Sequence, residues 1–397
     1  MVSGPERQTL PGPVRGTRPA NRRELIVLAA SDLFYRKGYA TVGMGEVAEA
    51  VAIGPSALYR HFRGKQDMLA TVVAEALATV EATLEAADSA DVGARLAAAA
   101  LAHRRIGVLW RREARHLSVG NRAELRAATR RIIARLTALV RERRPALTAD
   151  EADLLARCAL AVVNSVSFHG LSLPEPGFTT LLGELVRTTI DAPITLPAPS
   201  APVTRGGALS TRSRREAILT EATKLFARNG FAAVGIEDIG AAVGIAGPSV
   251  YNHFTTKAEI LTAAVLRGDE WLRIDMNRAF ARAADPRDGL HRLLRSYRVF
   301  TFENPDLVQI LLSEAMHLPE PDRQRGRAAQ HAYIAEWVHL AVEVHPEWDP
   351  ITARLRVQAA QTLCNEIALT AQLATRPGIE EPLLVIGDEL LGITAHD

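Results

Sequence analysis

Over the first sixty residues of this chain the apolar positions recur every three or four residues. Leu25, Leu28, Ala29, Leu33 and Phe34 form a stripe at helical spacing and predict a helix over about 21–37. Gly38 ends it, because glycine tolerates the left-handed backbone at a helix C-terminus. Met44, Val47, Ala48 and Val51 predict a short second helix over about 45–51, and Ala52-Ile53-Gly54 reads as a tight turn. Pro55, suited to a first helical turn, opens a third helix that runs through Phe62. Leu58 and Phe62 lie one turn apart and pin it to the core, which leaves Ser56, Ala57 and Arg60 facing outward. Two short helices joined by a tight turn make a helix-turn-helix, whose second helix enters the DNA major groove.

The same pattern returns 192 positions later. Residues 22–69 pair with 214–261 without a gap, at roughly 40% identity. Arg22-Arg23-Glu24 matches Arg214-Arg215-Glu216, Leu33-Phe34 matches Leu225-Phe226, and Gly38 matches Gly230. Tyr59, His61, Phe62 and Lys65 match Tyr251, His253, Phe254 and Lys257, while Ile218, Ala222, Leu225 and Phe226 form the second stripe. A weaker echo, Glu113-Ala-Arg-His-Leu117 against Glu314-Ala-Met-His-Leu318, extends the duplication beyond the heads. Residues 192–209 contain four prolines and two glycines and read as a semi-rigid linker. The organisation expected is a disordered basic arm (1–20), a first helix-turn-helix domain (21–69), a first helical body (70–191), the linker (192–209), a second helix-turn-helix domain (210–261) and a second body (262–397). The fold class expected is all-α, in two tandem units.

The residue types of the heads suit DNA. Tyr59, His61, Tyr251 and His253 can donate to phosphates, and Lys65 and Lys257 open a helix whose free amides favour an anion. Arg15, Arg18, Arg22 and Arg23 can follow the backbone or enter a minor groove. The outward Ser56, Ala57 and Arg60 correspond to Pro248, Ser249 and Asn252; arginine commonly reads guanine and asparagine adenine, so two different half-sites are expected.

These strings, above all Tyr-X-His-Phe-X-X-Lys in both copies, resemble the DNA-binding head of the TetR family of repressors. Gly43 and Gly235 depart from the threonine that the family usually places as cap of helix two. Two heads in one chain, Leu109-Trp-Arg-Arg-Glu-Ala-Arg115 and the run His169–Pro174 are similar to the double-headed TetR regulators of mycobacterial mammalian-cell-entry (lipid import) operons. That resemblance implies repression of lipid-uptake or lipid-metabolism genes, a double-stranded operator and a small-molecule effector. It also implies that the final helices of each copy pair. Leu155, Cys158, Val162, Val166, Leu182 and Leu185 are candidates from copy one, and Leu363, Ile367, Leu383 and Leu390 from copy two. The two halves of one chain would then form a pseudo-dimer on an asymmetric operator.

Further helices are expected over 66–88, 92–117, 121–144, 150–169 and 178–190, and over 351–374 and 380–392 in copy two. Candidate ligand residues in copy two are Trp271, Tyr297, Phe300, Met316, His317, Tyr333 and Trp337, with Phe280 and Phe302 nearby; such side chains suit an apolar ligand and equally an ordinary core. Copy one offers Trp110, Phe168 and Arg115, the last within a cluster with Arg104, Arg105, Arg111 and Arg112. That cluster is suited to an anionic, acyl-CoA-like ligand or to a solvated face.

Composition narrows the class further. Of 397 residues 48% are hydrophobic, 23% charged and only 5% aromatic, a globular balance that favours helix over strand. No apolar run approaches the roughly 18 residues of a membrane span, and residues 1–23 lack the core of a secretory signal, so a cytoplasmic protein without membrane partners is expected. Cys158 and Cys364 read as buried small hydrophobes. Residues 1–195 carry 26 basic against 20 acidic side chains and residues 196–397 carry 21 against 25, so the halves are electrostatically unequal. No phosphate loop, nucleophile elbow or metal-ligand spacing occurs, which argues against an enzyme and against a cofactor or metal. The remaining alternative is a helical scaffold with degenerate heads.

Overall fold

The computed structural model describes residues 22–197 and 213–394, and every regular element among them is a helix. The basic arm over 1–20, with Arg15 and Arg18, and linker residues 198–209 lie outside the described residues. Copy one runs α1 (Arg22–Lys37), α2 (Met44–Ala50), α3 (Pro55–Leu58), α4 (Lys65–Glu85), α5 (Val92–Ala102), α6 (Ile106–Glu113), α7 (Val119–Arg143), α8 (Ala149–Asn164) and α9 (Gly177–Asp191). Copy two runs α10 (Arg214–Asn229), α11 (Ile236–Ala242), a 3-10 helix (Gly247–Asn252), α12 (Lys257–Phe280), α13 (Pro286–Glu303), α14 (Pro305–Ser313), α15 (Glu320–Val344), α16 (Pro350–Ala368), α17 (Ala371–Ala374) and α18 (Glu380–Leu391). The described residues fall into two compact units, 22–156 with 163–183, and 157–162 with 184–197 and 213–394.

Each head closes over one apolar cluster. Ile26, Ala30, Phe34, Val47, Leu58 and Phe62 fill the first, and Ile218, Ala222, Phe226, Ile239, Val250 and Phe254 the second. This corrects the α1 stripe, because Leu28 is 42% exposed and the buried face is Ile26, Ala30 and Phe34. Those three stand four residues apart, so they stack on one side of the helix, whereas Leu28 lies about 160° from Ile26 around it. In each copy the first helix of the body continues the head's core: Met68 and Leu69 on α4, Ile260 and Leu261 on α12.

The continuous helix expected over 92–117 is instead three pieces, α5, α6 and a 3-10 turn at Ala114–His116. In copy two the equivalent break has a local cause, Pro305 directly after Asn304. Copy one has no proline there, and tertiary bonds hold the break open. Arg104 donates to the carbonyls of Val166, His169 and Leu171 at 2.8–3.3 Å, and the freed Gly107 N–H donates to Ser167 Oγ at 3.2 Å. Cys158 and Cys364 are both buried.

Candidate DNA-binding interface

The third helix of the first head is a single turn that continues past Leu58 only as hydrogen-bonded turns, His61 N–H and Phe62 N–H both donating to Leu58 O. Burying Leu58 and Phe62 throws the intervening side chains outward. Tyr59 is 56% and its counterpart Tyr251 52% exposed, unusual values for phenols that no core holds. Ser56, Arg60 and His61 are exposed and Ala57 is half-buried; Pro248 and Asn252 are exposed, Ser249 and His253 half-buried. Arg23 and Arg215 lie over the rings of Phe62 and Phe254, at 5.5 and 4.3 Å, and Arg23 also pairs with Glu75.

The two recognition elements are not superposable, a difference that the gapless pairing conceals. Gly54-Pro55-Ser56 recurs as Gly247-Pro248-Ser249, one residue later than the 192-residue offset. The shift draws the chain against α11. A Cβ on Gly240 would lie 2.8 Å from Ile245 O and 2.9 Å from Gly247 Cα, whereas copy one holds a buried Ala48 at the same place. The shorter path is wound as a 3-10 helix rather than an α-turn. The glycine caps also diverge: Gly43 has no side-chain cap, while Gly235 N–H donates to Asp238 Oδ2 at 2.8 Å.

Lys65 and Lys257 turn toward carbonyls of the loop that precedes them. Lys65 Nζ donates to the carbonyls of Tyr39 (2.8 Å), Ala40 (3.3 Å) and Val42 (2.9 Å) and sits 4.3 Å from the Tyr39 ring centre. Lys257 Nζ donates to Phe231 O and Val234 O, both at 2.8 Å, and sits 4.4 Å from the Phe231 ring. An ammonium has three donors, and here they close the loop between the first two helices of each head. Burial holds both ammonium groups below the usual lysine value. The other face of each aromatic ring meets the body. His116 stacks on Tyr39 at 4.8 Å and His317 on Phe231 at 5.4 Å. Behind the imidazoles stand the buried carboxylates of Glu113 and Glu314, at 3.7 and 3.6 Å, and Phe231 N–H donates to Glu314 at 3.0 Å. The weak echo in sequence is therefore a joint, cation–ring–imidazole–carboxylate, built twice between head and body.

Of the candidate ligand residues, Trp271, Tyr297, Phe300, Tyr333 and Trp337 come together, with successive ring centres 6.0–6.5 Å apart. His317 belongs to the joint instead, and Met316 gives its carbonyl to Arg323. In copy one Trp110 packs on the head core, and Phe168 caps the 3-10 turn Ser165–Ser167. Three of the arginines have structural partners: Arg104 the 166–171 turn, Arg105 Asp32 at 2.8 Å, and Arg112 the carbonyls of Phe34 and Tyr35 at the end of α1. Arg115 lies in the 3-10 turn, where its carbonyl accepts from Arg122. Arg104, Arg105 and Arg112 thus join elements of the fold.

Comparison with known proteins agrees with the heads. Residues 26–72 and 218–264 each match the domain described as Bacterial regulatory proteins, tetR family. The HTH-type transcriptional activator FasR of Mycolicibacterium smegmatis is 27% identical over 117 residues, 30% of this chain and 53% of that protein, so the match spans about half of its length. Among solved structures, the TetR family regulator PfmR of Thermus thermophilus is 22% identical with a TM-score of 0.41, covering 47% of this chain and 100% of its own. The ketosteroid transcriptional regulator KstR2 of Mycobacterium tuberculosis is 21% identical with a TM-score of 0.37, covering 45% and 95%. No helix among the described residues is long and apolar enough to cross a membrane. The chain thus carries, twice, the DNA-binding domain of the tetR family of bacterial regulatory proteins.

Proposed function

We propose that this regulator is a repressor whose two heads read the two unlike halves of one operator, with the two copies acting as an intramolecular pseudo-dimer. The observation that carries the reading is the repeated outward set: exposed Tyr59, Arg60 and His61 on one head, exposed Tyr251 and Asn252 with half-buried His253 on the other. Tyrosine and histidine donate to phosphates and fix register, while Arg60 and Asn252 stand where base edges are read. Lys65 and Lys257 act through the loop that they close. Pairing of the copies is supported by the make-up of the second compact unit, which takes in residues 157–162 and 184–194 from the last helices of copy one. Release from DNA follows binding of a small apolar or acyl-type molecule in a body, a reading supported by the aromatic cluster of copy two. The resemblance to double-headed regulators of lipid-import operons supports lipid uptake or metabolism genes as targets.

An electrophoretic shift on DNA upstream of the protein's own gene tests the reading. Expected is a specific shift that Tyr59→Phe and Tyr251→Phe each weaken on every sequence, and that Arg60→Ala weakens while relaxing preference in one half-site only. Absence of any specific shift would favour the scaffold with degenerate heads.

A further inference from the structure

The outward strips of the two heads repeat tyrosine and histidine but not their charge. Head one, that of copy one, presents two exposed guanidinium groups, Arg60 and Arg63, and no carboxylate among the described residues pairs with either. Arg63 stands three residues beyond Arg60, past the buried Phe62, and its backbone N–H donates to Asp67 Oδ2 at 3.0 Å. The matching residues of head two, Asn252 and Thr255, are neutral. Thr255 turns back on the protein, its N–H and its hydroxyl both donating to Glu259 Oε2 at 2.6 Å. The backbone bond is common to both heads; the outward cation belongs to one.

Acidic side chains widen the difference. Gly45, at the start of the second helix, has open space around it, and Glu237 takes that position in head two. Glu237 is exposed and lies beside the recognition element: a Cβ on Gly247, where that element begins, would lie 3.3 Å from Glu237 Cγ. Glu46 is ion-paired with Lys37, whereas the corresponding residues of head two are Asp238 and Asn229, and the aspartate caps Gly235 N–H. Glu49, matched by Ala241, is the one charge that runs the other way. Over 37–65, Lys37, Arg60, Arg63 and Lys65 stand against Glu46 and Glu49, a net +2; over 229–257, Lys257 stands against Glu237 and Asp238, a net −1. Lys65 and Lys257 are bonded to loop carbonyls alike, so the contrast rests on the arginines, Lys37 and Glu237. Sequence-independent hold on DNA comes from cations that displace counterions at phosphates, and unlike charge gives unlike hold.

We infer that Arg63 is a phosphate ligand of head one without an equal in head two, so that head one supplies most of the sequence-independent grip on duplex DNA. The inference rests on the reading of both heads as DNA-binding and adds a division of labour between them. Arg63 takes the part that spacing assigns to Lys65, from an outward position two residues earlier. Its planar fork of N–H donors matches phosphate oxygens, and it stays charged at every relevant pH. Head two, with an acidic face, relies on the neutral donors of Tyr251 and Asn252, whose base contacts count only at its own half-site.

Fluorescence anisotropy of the full chain on a short duplex of random sequence and on DNA upstream of its own gene, each across a salt series, tests this. Arg63→Ala should weaken both duplexes about fivefold and lower the slope of log affinity against log salt by about one, and Arg63→Lys should restore both. Thr255→Arg, which keeps the backbone bond to Glu259, should tighten the random duplex about fivefold and raise the slope by about one. Glu237→Gln should tighten it as well. A slope unchanged in both Arg63→Ala and Arg63→Gln would overturn Arg63 as a phosphate ligand. No gain from Thr255→Arg or from Glu237→Gln would overturn the electrostatic division between the heads. In either case the operator reading stands as long as the unaltered chain prefers the upstream DNA. Binding of neither duplex by the unaltered chain would sink that reading and this inference together.

Discussion

Lys65 and Lys257 show how one side chain can carry two opposed readings. A lysine at a helix start in a DNA-binding head suggests a phosphate ligand, yet each ammonium here is bonded to carbonyls of the preceding loop. The two roles predict different salt behaviour. Lys257→Ala should cost about 1–3 kcal/mol of stability, as an anchor for buried carbonyls, while the slope of log affinity against log salt stays unchanged. A phosphate ligand would instead lower the slope by about one. Asp269 offers a pH test. One of its oxygens is enclosed without a hydrogen-bond partner, and burial pushes the carboxyl up to about 6. Its folded pKa lies above the unfolded value, so the folded protein holds an extra proton between about 4 and 6. The ionised group therefore costs stability above that window, and the cost disappears as pH falls through it. Asp269→Asn should stabilise by about 2–3 kcal/mol at pH 8 and by nothing measurable near pH 4, read by chemical denaturation at both values.

The same sequence pattern makes two different recognition elements. A one-residue displacement of Gly-Pro-Ser converts an α-turn into a 3-10 helix and presses it on α11, where only a glycine at 240 fits. Gly240→Ala would gain helix propensity of about 1 kcal/mol, but the neighbours within 2.9 Å are backbone atoms that cannot swing aside. Overpacking of about 1–3 kcal/mol wins, so head two should melt earlier and lose its half-site, while head one, with Ala48 native at that place, keeps its own. Footprints of the variant on each half-site decide it. The repeat also held the answer to the α1 register: the exposed Leu28 pairs with the polar Thr220, whereas the buried Ile26, Ala30 and Phe34 pair with Ile218, Ala222 and Phe226.

For the whole molecule the inequality of the halves is the consequence that matters. Residues 1–195 carry a net +6 and 196–397 a net −4, so copy one should be the stronger electrostatic partner of DNA. A pseudo-dimer should scatter light as a particle near 43.0 kDa and protect two unlike half-sites about one helical turn, roughly 34 Å, apart. A particle of twice that mass in dilute solution would replace it with a dimer of chains carrying four heads. A palindromic footprint from one chain would leave Arg60 and Asn252 without distinct roles.

Helices, heads and duplication were legible in the sequence because each rests on local information: apolar spacing, glycine stops, a proline start and a gapless repeat. The exposure of Tyr59 and Tyr251 follows from the same spacing, since Leu58 and Phe62 can be buried only if Tyr59 is not. What tertiary structure decided was every pairing across distance. Lys65 reaches carbonyls 23–26 residues away, Arg104 and Ser167 hold a helix break that no local residue signals, and His317, a candidate ligand residue, stacks on the head as His116 does in copy one. Spacing along the chain tells which side of a helix a donor lies on; which carbonyl, ring or carboxylate meets it is set by the approach of another element, and that approach is a property of the packed fold.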